Sequence, residues 1–403
     1  MATLARVPVK LACAVVAALF AVPASAHALT LQATRSETGW IALTAQDTGD
    51  ATHVAFAEQV GARQDPLREV PAAAGRAVVR HAALWRCDRR DRHFIATAVY
   101  PDGSAQTATA AIRTPSCANR FALSVRTLRG RIRARVADRW QVGATRPRVC
   151  IRAPGAKAAC RALAIAEGRS AARRDYRARA GGLWTVSAGR AQRSVYIRRP
   201  GKLRLLATGD SMIQVVDTYL KGRLGKRGFG VRSDARISTG LSKPFLLDWP
   251  RLAAKQARGI RPDVTVVFIG ANDGFPFGDV GCCGDAWVEA YAKRAGTMMR
   301  AYARHNRGLV YWLTLPAPRP AQWRSVYPAV NRAVKRAAAR SGGAARVLDI
   351  ARTFTPGNRF RDSMVWHGRR TSVRQPDGVH LSPAGASIAE ALVERRLRKD
   401  GVL

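Results

Sequence analysis

Three short segments of this sequence carry residue types that could perform acyl chemistry. Gly209-Asp210-Ser211 directly follows the apolar run Leu203–Thr208. A serine on the turn between a strand and a helix has an exposed hydroxyl. Its backbone N–H lies at a helix N-terminus, where negative charge is favoured. Gly270-Ala271-Asn272-Asp273 follows Val264–Ile269. An Asn amide held at a strand end can donate to a developing oxyanion, and one such donor is worth ~3–4 kcal/mol in the transition state. Asp377-Gly378-Val379-His380 stands just before the last helical segment. Three-residue spacing lets one loop present a base together with the carboxylate that orients it and stabilises the imidazolium. Each segment alone also has a bland reading: a helix-capping Ser in a tight turn, or an Asn and Asp closing a strand. Together, Ser211, Asn272 and the Asp377–His380 pair supply a nucleophile, an oxyanion donor, and a base with its orienter.

The surrounding pattern says how these residues could converge. Apolar, strand-like runs occur at Leu203–Ala207, Val264–Ile269, Leu309–Leu315 and Arg346–Ile350. Helical stripes lie between them: Met212, Val215, Val216, Tyr219 and Leu220; Trp287, Tyr291, Ala295, Met298 and Tyr302; Val326, Val330, Ala333 and Ala337. Ser382 and Pro383 mark the start of the last helix. Alternating strand and helix predicts a parallel sheet covered on both faces, with its site at the carboxyl ends of the strands. Ile213 occupies the position of the second glycine of a GxSxG elbow, which argues against an α/β-hydrolase. The other two histidines of this half are His305, at the polar end of a helix, and His367, expected in a structural role.

With these blocks in place, residues 202 to 400 resemble the SGNH (GDSL-type) hydrolase superfamily, whose hallmarks are Ser, Gly, Asn and His in separate blocks. Gly209-Asp210-Ser211 matches the first, with Met212 where Leu is more usual. Gly240 in Ser238-Thr239-Gly240-Leu241 matches the glycine block, Asn272 the third, and Asp377 through His380 the last. Thr239-Gly240-Leu241 followed by Asp248-Trp249-Pro250 also resembles an exported bacterial branch of that superfamily. The resemblance implies a flavodoxin-like three-layer fold in which Ser211 attacks an ester carbonyl. The Ser211 and Gly240 N–H groups and the Asn272 side chain would hold the oxyanion. His380 would act as base and then acid, oriented by Asp377. A plain serine mechanism of this kind needs no cofactor and no metal.

The first half reads differently. Arg6 and Lys10, the apolar stretch Leu11–Val22 and Ala24-Ser25-Ala26 form a secretory signal peptide, with cleavage expected after Ala26 and no stable membrane span afterwards. Residues 27–200 are rich in short β-like runs and turns. The expected organisation is a signal peptide over 1–26, a β-rich, immunoglobulin-like module over 27–118, a second β-rich module over 119–200, and the SGNH domain over 202–403. Nothing in the β-rich region has a catalytic pattern, and His27, His53, His81 and His93 lack acidic partners at useful spacing. Without Cys13, six cysteines remain for disulfides in an exported chain. Cys87 with Cys117, and Cys150 with Cys160, each bracket an expected hairpin. Adjacent Cys282 and Cys283 could form a vicinal bridge shaping a wall of the site, pair elsewhere, or remain free thiols. None has the spacing of a structural zinc site.

The charge is large: 68 Lys+Arg against 27 Asp+Glu, a formal +41. Fifty-eight of those cations are arginine, and residues 1–200 and 201–403 carry +21 and +20. A nucleic-acid binder concentrates charge in a patch or tail, so nucleic acid is not an expected partner. The expected function is a secreted or envelope-located serine esterase removing acyl groups, acetyl first, from cell-wall or extracellular carbohydrate such as acetylated polysaccharide or peptidoglycan. Anionic envelope polymers are an expected weak partner. The alternatives are O-acyl transfer, lipase or lysophospholipase activity with the same triad, and non-catalytic wall binding.

Overall fold

The computed structural model describes residues 28–36, 39–140, 144–166 and 169–403. The expected signal peptide, Cys13 and His27 lie outside the described residues. The chain divides into two compact units, the first ending at Pro115 and the second running from Ser116 to Leu403. Cys87 and Cys117, the first expected disulfide pair, lie on either side of that division. Among the described residues, no helix is long and apolar enough to cross a membrane.

In the first unit, Thr30–Arg35, Trp40–Gln46 and Arg76–Leu84 form one antiparallel sheet. Arg63–Pro71, His53–Val60, Asp91–Val99 and Ala105–Arg113 form another. Every second residue turns inward: Ile41, Leu43 and Ala45, or Phe94, Ala96 and Ala98, are fully buried. The hairpin expected around Pro101-Asp102-Gly103 forms. There the Ser104 N–H and hydroxyl donate to Asp102 Oδ1 at 2.8 and 2.6 Å. One histidine departs from expectation: His53 Nε2 lies 3.1 Å from Glu69 Oε1, an acidic partner supplied by strand pairing and invisible in local spacing.

The second unit begins with a β-sandwich. Phe121–Leu128, Arg131–Asp138 and Ala171–Arg177 pair on one side; Ala158–Ala162, Arg148–Arg152, Gly182–Ala188 and Ala191–Ile197 pair on the other. Leu123, Ile132, Ala134 and Val136 meet Val149, Ile151, Trp184 and Val186 in one core. Cys150 and Cys160 are directly opposed on paired strands and are disulfide-bonded, as their flanking turn predicts.

The α/β domain follows. Its elements are β1 (Leu203–Gly209), α1 (Ser211–Gly225), β2 (Phe229–Ala235), α2 (Trp249–Ile260), β3 (Val264–Phe268), α3 (Asp285–Ala303), β4 (Leu309–Leu313), α4 (Val326–Ala339), β5 (Ala345–Leu348), α5 (Ile350–Phe354), a small hairpin of Ser363–Trp366 and Arg369–Ser372, and α6 (Pro383–Lys399). The strands are all parallel in the order β2-β1-β3-β4-β5, the flavodoxin-like arrangement. Every residue of β3 and β4 is buried, as a sheet covered on both faces requires. Helix α1 packs with α6, while α2, α3 and α4 pack in series, giving two helix layers. The sequence reading marks neither β2 nor α2. Strand β2 is a half-exposed edge carrying Arg232, Ser233 and Asp234, and α2 buries only Trp249, Ala253, Gln256 and Ala257. Strand β5 also starts and ends earlier than expected, because Asp349 caps the short α5.

The sandwich docks on the amino ends of these strands. Leu183 and Tyr196 of the sandwich join the core of the α/β domain. The Leu183 N–H donates to Asn306 O at 2.8 Å, and the Gly155 N–H to His305 O at 2.7 Å, just before β4. At Gly182 a Cβ would stand 2.5 Å from Asn306 O, so the two backbones touch. Arg199 closes the seam: its Nε and Nη2 donate to the Asp263 carboxylate at 2.9 and 2.7 Å, and Arg204 N–H adds a third bond at 2.8 Å. Asp263 is 3% exposed, so losing Arg199 leaves a buried charge with only the Arg204 N–H and the more distant Arg204 guanidinium, at 3.7 Å. Arg199→Ala is expected to lower the unfolding free energy by about 2 kcal/mol, below the ~3–5 of a fully buried pair because the guanidinium keeps contact with water. Urea titration of both proteins measures it; equal midpoints would dismiss this seam as a stabilising contact.

Candidate active site

The site forms where β1 and β3 end, beside the point at which the strand order reverses. Two backbones must approach closely there. A Cβ on Gly209 would lie 1.9 Å from the Phe268 carbonyl oxygen, so only glycine fits. The next residue locks the approach. Asp210 caps α1 by accepting the Met212 N–H at 2.9 Å, and its other oxygen accepts the Gly270 and Ala271 N–H groups at 2.8 and 3.0 Å. One carboxylate thus ties the turn bearing Ser211 to the turn bearing Asn272. The capping role, a bland reading open to Ser211, belongs to Asp210. Ser211 is left as the first residue of α1, with its N–H among those that have no partner within the helix.

Ser211 Oγ lies 2.8 Å from His380 Nε2. His380 Nδ1 lies 2.5 Å from Asp377 Oδ2. Asp377 Oδ1 accepts the Val379 and His380 N–H groups at 2.8 and 3.0 Å, so its loop folds around its own carboxylate. Partial burial by itself would raise the pKa of Asp377. The hydrogen bonds from His380 and the two backbone N–H groups outweigh it and hold this carboxyl below the usual aspartate range. The structure therefore brings Ser211, His380 and Asp377 into one chain of hydrogen bonds across 169 residues of sequence.

The expected oxyanion donors sit on the next two loops. Asn272 Nδ2 donates to Thr239 O at 3.1 Å, which places the amide against the segment containing Gly240. A Cβ on Gly240 would meet Asp273 Oδ1 at 2.4 Å, so Gly240 is required by proximity to that carboxylate. Asp273 is completely buried. It accepts the Ser242 N–H and hydroxyl at 2.6 and 2.9 Å, and the Tyr291 hydroxyl at 2.7 Å. Desolvation pushes its pKa up against these bonds. The Thr239 hydroxyl accepts the Trp249 indole N–H at 3.1 Å, which explains the pairing of Thr239-Gly240-Leu241 with Asp248-Trp249-Pro250. Asp210, Asp273, Ser242 and Tyr291 went unassigned in the sequence; the signal was an acid adjoining the reactive residue in both strand-end blocks.

Around this machinery the surface is uneven. Ile237, Phe245, Leu246 and Phe275 are large exposed hydrophobics at 60, 70, 56 and 39% exposure, all on the two loops that carry Gly240 and Asn272. Phe245 and Phe275 meet edge to face at 6.0 Å. On the far side, the loop of Asp377 and His380 is held by arginines. Arg319 Nη1 donates to Pro376 O at 3.1 Å, and Arg374 Nη2 to Gly378 O at 3.1 Å. Burial lowers the Arg374 pKa to about 10. Cys282 and Cys283 are bonded to each other in the loop before α3, where they pack against the domain core and Arg332 Nη2 donates to Cys283 O at 3.3 Å. His367 is exposed in the turn of the small hairpin, and His305 is exposed after α3.

Residues 204–396 match the sequence model of a family described as "Protein of unknown function (DUF459)". No curated protein matches the sequence. Among solved structures, the C-terminal catalytic domain of peptidoglycan O-acetyltransferase A (OatA) of Streptococcus pneumoniae is similar at 16% identity and a TM-score of 0.34, over 50% of this chain and 95% of that one. The periplasmic domain of a lipopolysaccharide acetyltransferase of Salmonella ser. Paratyphi A is similar at 12% identity and a TM-score of 0.33, over 49% of this chain and 85% of that one. The chemistry of the site is argued from its own geometry.

Asp210 gives this geometry a measurable signature. Desolvation raises its pKa to about 7, against the three N–H groups it accepts. An unfolded aspartate ionises near ~3.9. The folded protein therefore holds the proton between about pH 4 and about pH 7, and this contribution to stability declines as pH rises through that interval. In Asp210→Asn the pH-dependence of unfolding is expected to be flatter there. Its amide would also face the Gly270 and Ala271 donors, so kcat/KM on any ester the protein cleaves should fall between about 10- and 100-fold. Parallel pH–stability curves for the two proteins would refute the buried-acid assignment.

Proposed function

We propose that this protein is a serine esterase that acts outside the cytoplasm on acyl esters of cell-wall or extracellular carbohydrate, acetyl first. The observation that carries the reading is the hydrogen-bonded chain Ser211–His380–Asp377 beside Gly240 and Asn272. His380 takes the Ser211 proton as Oγ attacks the ester carbonyl. The tetrahedral oxyanion is held by the Ser211 and Gly240 N–H groups and the Asn272 amide. His380 then gives the proton to the departing alcohol, leaving an acyl-serine. Water, activated by the same imidazole, releases the acid. A sugar hydroxyl in place of water would make the reaction an acyl transfer. Export, the two β-rich modules and the cationic surface favour a polymeric substrate at an anionic envelope.

A second reading is favoured by one observation. The exposed rim of Ile237, Phe245, Leu246 and Phe275 could cover a longer acyl chain, as in a lipase or lysophospholipase. Each methylene buried there contributes ~0.8 kcal/mol.

Hydrolysis of p-nitrophenyl acetate, butyrate and longer esters tests both readings. Ser211→Ala is expected to lose about three or more orders of magnitude in kcat. Equal rates in the two proteins would end the catalytic assignment. Rates that peak at acetate, with acetate released from acetylated wall polymer, support the first reading; rates that climb with chain length support the second. Accumulation of acylated product on adding a sugar acceptor identifies transfer. For the envelope, binding to isolated wall material is expected to be reversed by salt at a few tenths molar, where the screening length is below about 8 Å. Retention unaffected by salt would remove charge from the account.

A further inference from the structure

A cavity of about 300 Å³ lies beside the loop that holds Asp377 and His380, lined by Ala317, Pro318, Arg324, Asn358, Arg359 and Phe360. Its walls come from the segments after β4 and α5, at the same carboxyl edge of the sheet as Ser211. Hydrogen bonds join wall to loop. Arg374 Nη2 donates to Ala317 O at 2.8 Å and to Gly378 O at 3.1 Å, and the Arg319 N–H donates to Gly378 O at 3.0 Å.

The charge of this corner is unbalanced. The guanidinium groups of Arg319 and Arg374 stand over the Phe360 ring at 5.1 and 5.4 Å, and Arg324 and Arg359 complete four cations around it. Of the nearby carboxylates, Asp362 pairs with Arg319 at 2.6 Å and Asp377 with His380. Among the described residues, Arg324, Arg359 and Arg374 form no ion pair. Arg374 is only 4% exposed, and its Nε and Nη1 groups find no acceptor among the described residues. Leaving a buried cation uncompensated is costly. The planar donor fork of arginine fits a carboxylate or phosphate.

Geometry says which half of a substrate would reach this corner. His380 must pass its proton to the leaving oxygen, so the alcohol half of the ester lies on the imidazole side. With the carbonyl oxygen held by Gly240 and Asn272, the acyl group would fall toward Ile237 and Phe245. We propose that the cavity is an oxyanion-binding subsite that takes a carboxylate or phosphate carried on the alcohol half of the ester. The inference rests on the esterase reading and names the substrate class within it: an acylated, negatively charged alcohol.

The test compares kcat/KM for 4-acetoxybenzoate with that for its uncharged methyl ester, and for 4-acetoxyphenyl phosphate. The wild type is expected to prefer the anionic esters, and the better of the two identifies carboxylate or phosphate as the natural group. In Arg324→Ala/Arg359→Ala, and less steeply in Arg359→Ala alone, the anionic-to-neutral ratio should fall about tenfold. Arg126→Ala/Arg129→Ala removes the same net charge from the sandwich and should keep the wild-type ratio. A ratio unchanged by the first pair, or lowered equally by both pairs, overturns the proposal in favour of general attraction to a cationic protein. Calorimetric titration of Ser211→Ala with 4-hydroxybenzoate and with inorganic phosphate separates the subsite from the chemistry. If the wild type cleaves no ester, the esterase reading fails. Anion binding that disappears with Arg324 and Arg359 would still establish the subsite, and absence of binding would refute it.

Discussion

The arrangement of the site depends on one close contact, the approach of the end of β1 to the end of β3. Gly209 permits it, since any side chain there would enter the Phe268 carbonyl. The carboxylate of Asp210 then fixes it, accepting one N–H from α1 and two from the turn after β3. Burying that carboxyl is unfavourable, and the three aligned backbone donors offset only part of the penalty, which leaves its pKa raised. The result is a junction between two turns, and Ser211 and Asn272 are the residues that follow it in each segment. A second buried acid, Asp273, extends the same logic one loop further, drawing the Gly240 segment in through Ser242 and anchoring it on Tyr291. Two buried carboxylates thus organise three loops, and neither has a role at the reacting atoms.

The rest of the second unit leaves this edge unobstructed. The β-sandwich meets the amino ends of the strands through Leu183, Tyr196 and the Arg199–Asp263 pair, at the opposite end of the sheet from Ser211. A domain docked there cannot form a lid over the site. It stiffens the base of the α/β domain and adds a cationic surface away from the chemistry. The division of labour follows from strand polarity. In a parallel sheet all carboxyl ends share one edge, so catalytic loops gather there and the other edge is available for docking.

Along the catalytic edge the chemical character changes with strand position. The loops beyond β2 and β3 present exposed aromatic and aliphatic groups, while the segments beyond β4 and β5 present arginine around Phe360. An ester lying across Ser211 with its leaving oxygen at His380 would meet these two environments with its two halves. Charge that looks uniform along the sequence is therefore not uniform in effect. Most arginines are solvated or paired, whereas Arg374 is buried with donors unused.

The sequence by itself determined most of the α/β elements and nominated the candidate site residues. Apolar period and punctuation marked β1, β3, β4, α1, α3, α4 and α6. The Ser211, Asn272 and Asp377–His380 blocks stood where strand polarity would converge them, and the flanking turn indicated the Cys150–Cys160 bond. These features are legible because they are local: periodicity, caps and turns are encoded within a few residues. Strand β2 escaped because an edge strand buries too little to leave a clean period, and helix α2 because its buried stripe of Trp249, Ala253, Gln256 and Ala257 is mostly small or polar. What only tertiary structure decided is what depends on proximity between distant segments. That set includes the His53–Glu69 pair, the docking of the sandwich by Arg199, the clash that makes Gly209 and Gly240 necessary, and the buried acids Asp210 and Asp273 as organisers. A carboxylate reads the same in sequence whether it faces water or three backbone donors; only folding removes the water.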